Sequence, residues 1–163
     1  MNILEQLQGQ AEQIEVLELH SEVTTIRFES NVLKTSQVEE TSGLAVRVVK
    51  AGRLGFAASS DATATEKLIA NVLESAAYGD ETPLVFPGAL PAPAVPCYDA
   101  RIPELPIARL VEIGQEIVAY LREVDPEGLV DVDLRRAVQQ TALRNQAGAE
   151  IAVTRSPFSI DFG

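Results

Sequence analysis

The chain has 163 residues, 46% of them hydrophobic, with no tryptophan, which fits one domain or two small lobes around an aliphatic core. Thirteen basic residues against twenty-four acidic ones give a net charge of −11, which argues against a nucleic-acid partner, because phosphate binding needs clustered Lys and Arg. A single cysteine, Cys97, precludes an internal disulfide and fits a reducing compartment.

The opening lacks the basic and apolar regions of a signal peptide, and no apolar run reaches the ~20 residues needed to span a bilayer. The expectation is a soluble, cytoplasmic protein without membrane contact. In chain order, Ile3, Leu4, Leu7, Ala11 and Ile14 recur at helical spacing, and Gly9 weakens that helix. Val16 to Phe28 reads as a strand whose alternation shifts phase around Ser21 to Thr25, as at a bulge. Glu29-Ser30-Asn31 is a turn, and Val32 to Glu40 returns as a more polar strand near an edge.

Thr41 to Asp61 is the stretch around which the rest is organised. Leu44, Val46 and Val48 alternate with Ala45, Arg47 and Val49, Lys50 to Arg53 supplies a tight turn, and Leu54, Phe56 and Ala58 resume the alternation. Gly55 and Ala57 leave one face nearly bare, which marks close approach by another backbone or a ligand. Thr63-Ala64-Thr65-Glu66 fits a capping box, with Thr63 at the N-cap. The apolar stripe Leu68, Ile69, Val72, Leu73, Ala76 and Ala77 makes the following helix, ended by Gly79.

From Asp80 to Pro106 the prolines Pro83, Pro87, Pro91, Pro93, Pro96, Pro103 and Pro106 predict an extended connector without helix or central strand. Ile107, Leu110, Val111, Gly114, Ile117, Val118 and Leu121 then give the clearest amphipathic helix. Its Gly114 lies on the apolar face, where it lets the helix sit close to a sheet, and Asp125 to Gly128 ends it. Strands follow at Val130 to Leu134, Val138 to Arg144 and Glu150 to Arg155, with a turn at Asn145 to Gly148. Phe158, Ile160 and Phe162 read as a last strand that expects a partner.

The fold class is therefore α+β. Antiparallel meander sheets carry helices on one face, in the order helix–strands–helix and then helix–strands. The organisation is a lobe at 1–79, a connector at 80–106 and a lobe at 107–163.

No catalytic constellation is legible. His20 and Cys97 are single copies with no ligand spacing around them, so the sequence offers no metal site. There is no GxSxG elbow and no phosphate loop. Asp131 and Asp133 share a strand face and read as solvated. Arg47 and Arg53 flank the central hairpin; they could hold a peptide carboxylate or an acidic loop of a partner, and the simpler reading is solvated charge that protects an edge. A peptide or partner site on this chain would use Arg47, Arg53, Gly55 and Ala57, with strand addition along the bare face. On that expectation, Gly55→Val weakens peptide capture and spares the fold.

Gly43-Leu44-Ala45-Val46-Arg47-Val48, followed by Gly52-Arg53-Leu54-Gly55-Phe56-Ala57, resembles the signature of the amino-terminal domain of the TldD/PmbA family. Its members are bacterial and archaeal proteins once described as modulators of DNA gyrase. Tyr98-Asp99 and the turn Asn145-Gln146-Ala147-Gly148 fall in the family's order, although the family commonly shows Ser where Gln146 stands.

The resemblance implies the non-catalytic front domain of a zinc metallopeptidase that acts on unfolded or modified peptides. Zinc is expected only in a carboxy-terminal domain that this chain lacks, or in a partner subunit. The implied assembly is a dimer, with itself or with a TldD/TldE-type partner, enclosing a cavity that admits unfolded peptide. A stand-alone peptide-binding or assembly module acting through sheet edges is the alternative.

Overall fold

A computed structural model describes residues 3–61, 63–89, 91 and 94–163; Pro93 of the connector lies outside the described residues. Helix α1 (Ile3–Leu7) leads into β1 (Gln13–Glu29), β2 (Val32–Lys50) and β3 (Arg53–Ser59). Helix α2 (Thr65–Tyr78), a short α3 (Arg101–Glu104) and α4 (Ile107–Val124) follow. The chain closes with β4 (Val132–Asn145), β5 (Glu150–Arg155) and β6 (Phe158–Phe162). The class is α+β as expected: the strands form one antiparallel six-stranded sheet in the order β3-β2-β1-β4-β5, with β6 also pairing β4.

Two compact units share the long strands. One comprises Met1–His20, Thr41–Ala94 and Gln140–Val153; the other comprises Ser21–Glu40, Val95–Gln139 and Thr154–Gly163. In the first, α1 and α2 bury Ile3, Leu7, Leu68, Val72 and Ala76 against Ile14, Val16, Val46 and Val48. Those strand residues alternate along β1 and β2, so one pleat face supplies the whole apolar floor. In the second, α4 lays Leu110 and Val118 on Ile26, Phe28, Val132 and Leu134. Gly114 has the role its position suggested: a Cβ there would lie 2.3 Å from the Phe28 ring and 3.1 Å from Leu134.

Both hairpin turns rest on left-handed backbone. Ser30 and Asn31 have φ of 49° and 71°, and Ala51 and Gly52 have 50° and 71°, the pair of positive values that matches strand twist in a two-residue turn. Asn31 is fixed further, accepting from the Val130 amide at 2.9 Å and donating to the Gly128 carbonyl at 3.0 Å. The Ala51 amide is taken by the Glu12 carboxylate at 2.9 Å.

Several expected boundaries move. The helix expected through Ile14 stops at Leu7, because Gly9 takes φ of 78° and Ile14 joins the sheet. The strands expected at 32–40 and 44–49 are one strand, as are those at 130–134 and 138–144. Neither junction contains proline or a positive-φ residue among the described residues, so nothing stops the ladder. Along β1 the buried apolar residues Ile14, Val16, Ile26 and Phe28 are all even-numbered, whereas Leu17 and Leu19, at odd positions, are exposed.

The capping box does not form. Thr63 donates its hydroxyl to Asp61 at 2.6 Å, and α2 starts at Thr65 behind Ala64. Gly79 ends α2 in extended rather than left-handed backbone, and its bare Cα lets the Leu54 carbonyl approach; a Cβ would sit 1.9 Å from that oxygen.

The connector, expected without helix, contains α3. Asp99 takes the Arg101 amide at 2.9 Å, and Pro103 lies within the first turn, where a missing amide costs nothing. Arg136 closes the other end by donating to the carbonyls of Pro103 at 2.5 Å and of Leu105. The final strand finds its partner inside the chain, with Leu134 opposite Ile160 and Arg136 opposite Phe158.

Candidate functional site

The hairpin of β2 and β3 positions the residues of interest. Its register sets Val46 opposite Ala57 and Val48 opposite Gly55 on one face, and Arg47 opposite Phe56 on the other. Period-two alternation alone therefore separates Gly55 and Ala57 from Arg47.

The face of Gly55 is bare because α2 occupies it. A Cβ at Gly55 would meet the Val72 carbonyl oxygen at 2.4 Å and Ala76 Cβ at 2.7 Å, and Ala57 packs against the same cluster. The close approach that the glycine announced is by this helix. Arg53 also turns inward to the chain, donating to the Gly79 carbonyl at 2.8 Å and to Glu81 at 3.1 Å. Two outward amides of β3 are capped as well: Leu54 donates to the Asp80 carbonyl at 3.0 Å and Phe56 to the Ser75 hydroxyl at 3.2 Å.

Arg47 sits differently. Its Nε donates to the buried Glu15 carboxylate at 2.9 Å, its second nitrogen bonds the same oxygen, and its guanidinium carbon lies 5.4 Å from the centre of the Phe86 ring. Planar guanidinium, carboxylate and ring stack in an arrangement that Lys would not reproduce. The Arg47 side chain remains 45% exposed.

Beside this pair, Gln13 holds an extended stretch of the connector through both ends of its amide. Its nitrogen donates to the Leu84 carbonyl at 2.8 Å, and its oxygen accepts from the Phe86 amide at 2.5 Å. Asn145 adds a bond to the Pro87 carbonyl at 2.8 Å. A cavity of about 200 Å³ between Phe86, Gln13, Ile14 and Gln146 adjoins the clamp.

Further along the same strands, Leu17, Leu19, Ala45 and Ala58 line an open depression of about 370 Å³, whose apolar floor suits extended, uncharged chain. The sequence pointed to Arg47 but not to its partners. Glu15 and Gln13 lie more than thirty positions away, with no motif to tie them to Arg47 and Phe86.

The single-copy donors His20 and Cys97 each have a partner within the chain. His20 Nδ1 lies 3.0 Å from the Ser42 hydroxyl, and the Cys97 thiol faces the Thr154 carbonyl at 3.4 Å. Among the described residues, no three of His, Cys, Asp and Glu are grouped as ligands. Asp131 and Asp133, read as solvated, are engaged: Asp131 takes the Ser30 amide at 2.8 Å, and Asp133 pairs with Arg27 at 2.6 Å and with Arg135 at 3.1 Å. Hydrogen bonding and charge from Asp133 raise the Arg27 pKa further. No helix of the described residues is long and apolar enough to cross a membrane.

Residues 14–77 match the family model described as PmbA/TldA metallopeptidase domain 1. Among solved structures, the fold is shared with a candidate modulator of a DNA gyrase from Thermotoga maritima, at 13% identity and a TM-score of 0.83, over 97% of this chain and 37% of that one. TldE from Thermococcus kodakarensis matches at 15% identity and 0.84, over 99% of this chain and 41% of that one. A candidate modulator of DNA gyrase from Bacteroides thetaiotaomicron matches at 18% and 0.73, over 93% and 36%. At these identities the likeness shows the fold, and the chain spans about two fifths of each solved relative's length. No curated protein matches the sequence.

Proposed function

We propose, from the premise that this chain carries the first domain of the PmbA/TldD family, that it is the non-catalytic front part of a metallopeptidase acting on unfolded or modified peptides. The observation that carries the reading is the match of residues 14–77 to a model described as a metallopeptidase's domain 1. The share of the solved relatives' length that it spans, 36–41%, supports it by leaving room for a separate catalytic part. Zinc then belongs to that part or to a partner subunit; among the described residues no three of His, Cys, Asp and Glu are grouped as ligands.

In this role the chain helps to form a dimer, with itself or with a TldD/TldE-type partner, and shapes the cavity through which peptide enters. The open depression beside Leu17, Leu19 and Ala45 offers extended backbone an apolar floor, and the half-exposed Arg47 stands on the same sheet face as a cation for a peptide carboxylate. A cytoplasmic setting fits the single, free Cys97.

A labelled, reduced and alkylated polypeptide, mixed with the chain with and without zinc, tests both halves. The expected result is a rise in fluorescence anisotropy with no fragments on a gel. Fragments released by the chain alone would overturn the non-catalytic assignment, and flat anisotropy would overturn peptide admission.

A further inference from the structure

The sheet face opposite α2 in the first unit carries an apolar trough with a closed end. Leu17, Leu19, Ala45 and Ala58 line the depression of about 370 Å³, and no charged residue is among its described lining. Ala45 lies opposite Ala58, and Arg47 lies opposite Phe56, two residues nearer the hairpin turn on the same face. The exposed Phe56 and the buried Glu15 therefore flank Arg47 on the two neighbouring strands. On the far side of Arg47 from the depression, the connector crosses the sheet. Gln13, two residues beyond Glu15 on β1, holds it there by Leu84 and Phe86. An extended chain lying along the trough meets that strap at Arg47.

The guanidinium at the closed end is fixed but only partly engaged. Glu15 accepts from Nε and from one terminal nitrogen through a single oxygen, which uses the side edge of the fork. The Phe86 ring lies against the group, with its centre 5.4 Å from the guanidinium carbon. The end edge, with one hydrogen on each terminal nitrogen, has no partner among the described residues, and the side chain is 45% exposed. That edge matches the two oxygens of a second carboxylate. A guanidinium already held by a buried acid and a ring loses little freedom when it binds one.

We infer that this trough captures the carboxy-terminal end of an unfolded peptide. The terminal carboxylate sits on the free edge of Arg47, and the last side chains lie over Leu17, Leu19, Ala45 and Ala58. The inference rests on the peptide reading above and names the kind of peptide that the site takes. A cation at a closed end suits a chain terminus, because a carboxylate in mid-chain would require the backbone to run on through the strap. Ala45 and Arg47 are two residues apart, roughly 6.6 Å along β2, so the floor reads the last two or three residues. Those residues are apolar, since the floor offers no opposite charge to a charged side chain.

Fluorescence anisotropy of the 163-residue chain tests this with a hexapeptide labelled at its amino end and ending Leu-Val-Leu. The free acid should bind about tenfold more tightly, or better, than its carboxy-terminal amide. It should exceed by a similar factor the same peptide lengthened by Gly-Ser-Gly after the last Leu. Arg47→Met combined with Glu15→Gln leaves no buried acid unpaired and should bring acid and amide to the same affinity. Ala58→Glu, at an exposed position on the floor, should weaken the acid by about tenfold while the far-ultraviolet spectrum is unchanged. Equal binding of acid and amide by the wild type would overturn the proposal, as would a preference for the acid that survives the double substitution. In either case, a reduced and alkylated polypeptide that still raises the anisotropy leaves the peptide reading standing and removes only the chain-end assignment. If neither the polypeptide nor the hexapeptides bind, both fall.

Discussion

Replacing Gly55 with alanine tests the packing on which the first unit depends. The added Cβ lies 2.4 Å from the Val72 carbonyl oxygen, 2.7 Å from Ala76 Cβ and 2.8 Å from the Ala76 amide nitrogen. Ordinary contact begins near 3.4 Å, so α2 must retreat by roughly 1 Å. Overpacking costs about 1–3 kcal/mol where neighbours adjust; here they are helix backbone, which cannot rotate away, so the upper end applies.

The retreat also loosens the seating of Leu68, Val72 and Ala76, since a gap of that size forfeits about a quarter to a half of each contact. A loss of about 3 kcal/mol lowers the melting temperature by roughly 6–12 °C for a chain of this size. Gly43→Ala is the control: its Cβ meets only the Ser59 carbonyl, at 3.9 Å, and stability should stay within about 0.5 kcal/mol. Thermal and urea unfolding followed by circular dichroism give both values. If Gly55→Ala proves as stable as Gly43→Ala, α2 does not sit on β3 as described. Gly55→Val, which the bare face suggested as a probe of peptide capture, is on this geometry a folding mutation first.

Three further outcomes follow from particular contacts. Arg47→Ala strands the buried Glu15 carboxylate, costing about 1–3 kcal/mol; adding Glu15→Gln should recover part of that loss in a double-mutant cycle. Gln13→Ala releases the Leu84 carbonyl and the Phe86 amide, so limited proteolysis should cut faster within residues 82–88 while the far-ultraviolet spectrum is unchanged.

The Arg101 side-chain hydrogen bond, aided by its amide, holds the Asp99 carboxyl at about 2, below its ordinary 3.8. A depressed carboxyl stabilises the fold above its unfolded value and loses that contribution as pH falls through the folded one. The stability gap between the wild type and Asp99→Asn should therefore shrink as pH falls from about 4 to about 2. An NMR titration that places Asp99 near 4 would contradict the pairing.

What the sequence determined by itself was local or periodic. Alternation in β2 and β3, the stripes of α2 and α4, the turn at Gly52 and the close approach at Gly114 all follow from backbone sterics and burial of one face, which act within a few residues. The hairpin strings also carried the resemblance to the family whose model matches residues 14–77. The long strands were not legible, because whether Thr41 to Gly43 breaks or continues depends on what the neighbouring strand offers.

The capping box failed for a related reason: Asp61, two residues upstream, competes for the Thr63 hydroxyl. The tertiary structure alone decided that α2 fills the bare face at Gly55 and that Arg47 pairs with Glu15. It also decided that Gln13 grips the connector. Each depends on groups brought together from distant parts of the chain, where no spacing rule applies and only the ladder register and the helix approach set which atoms meet.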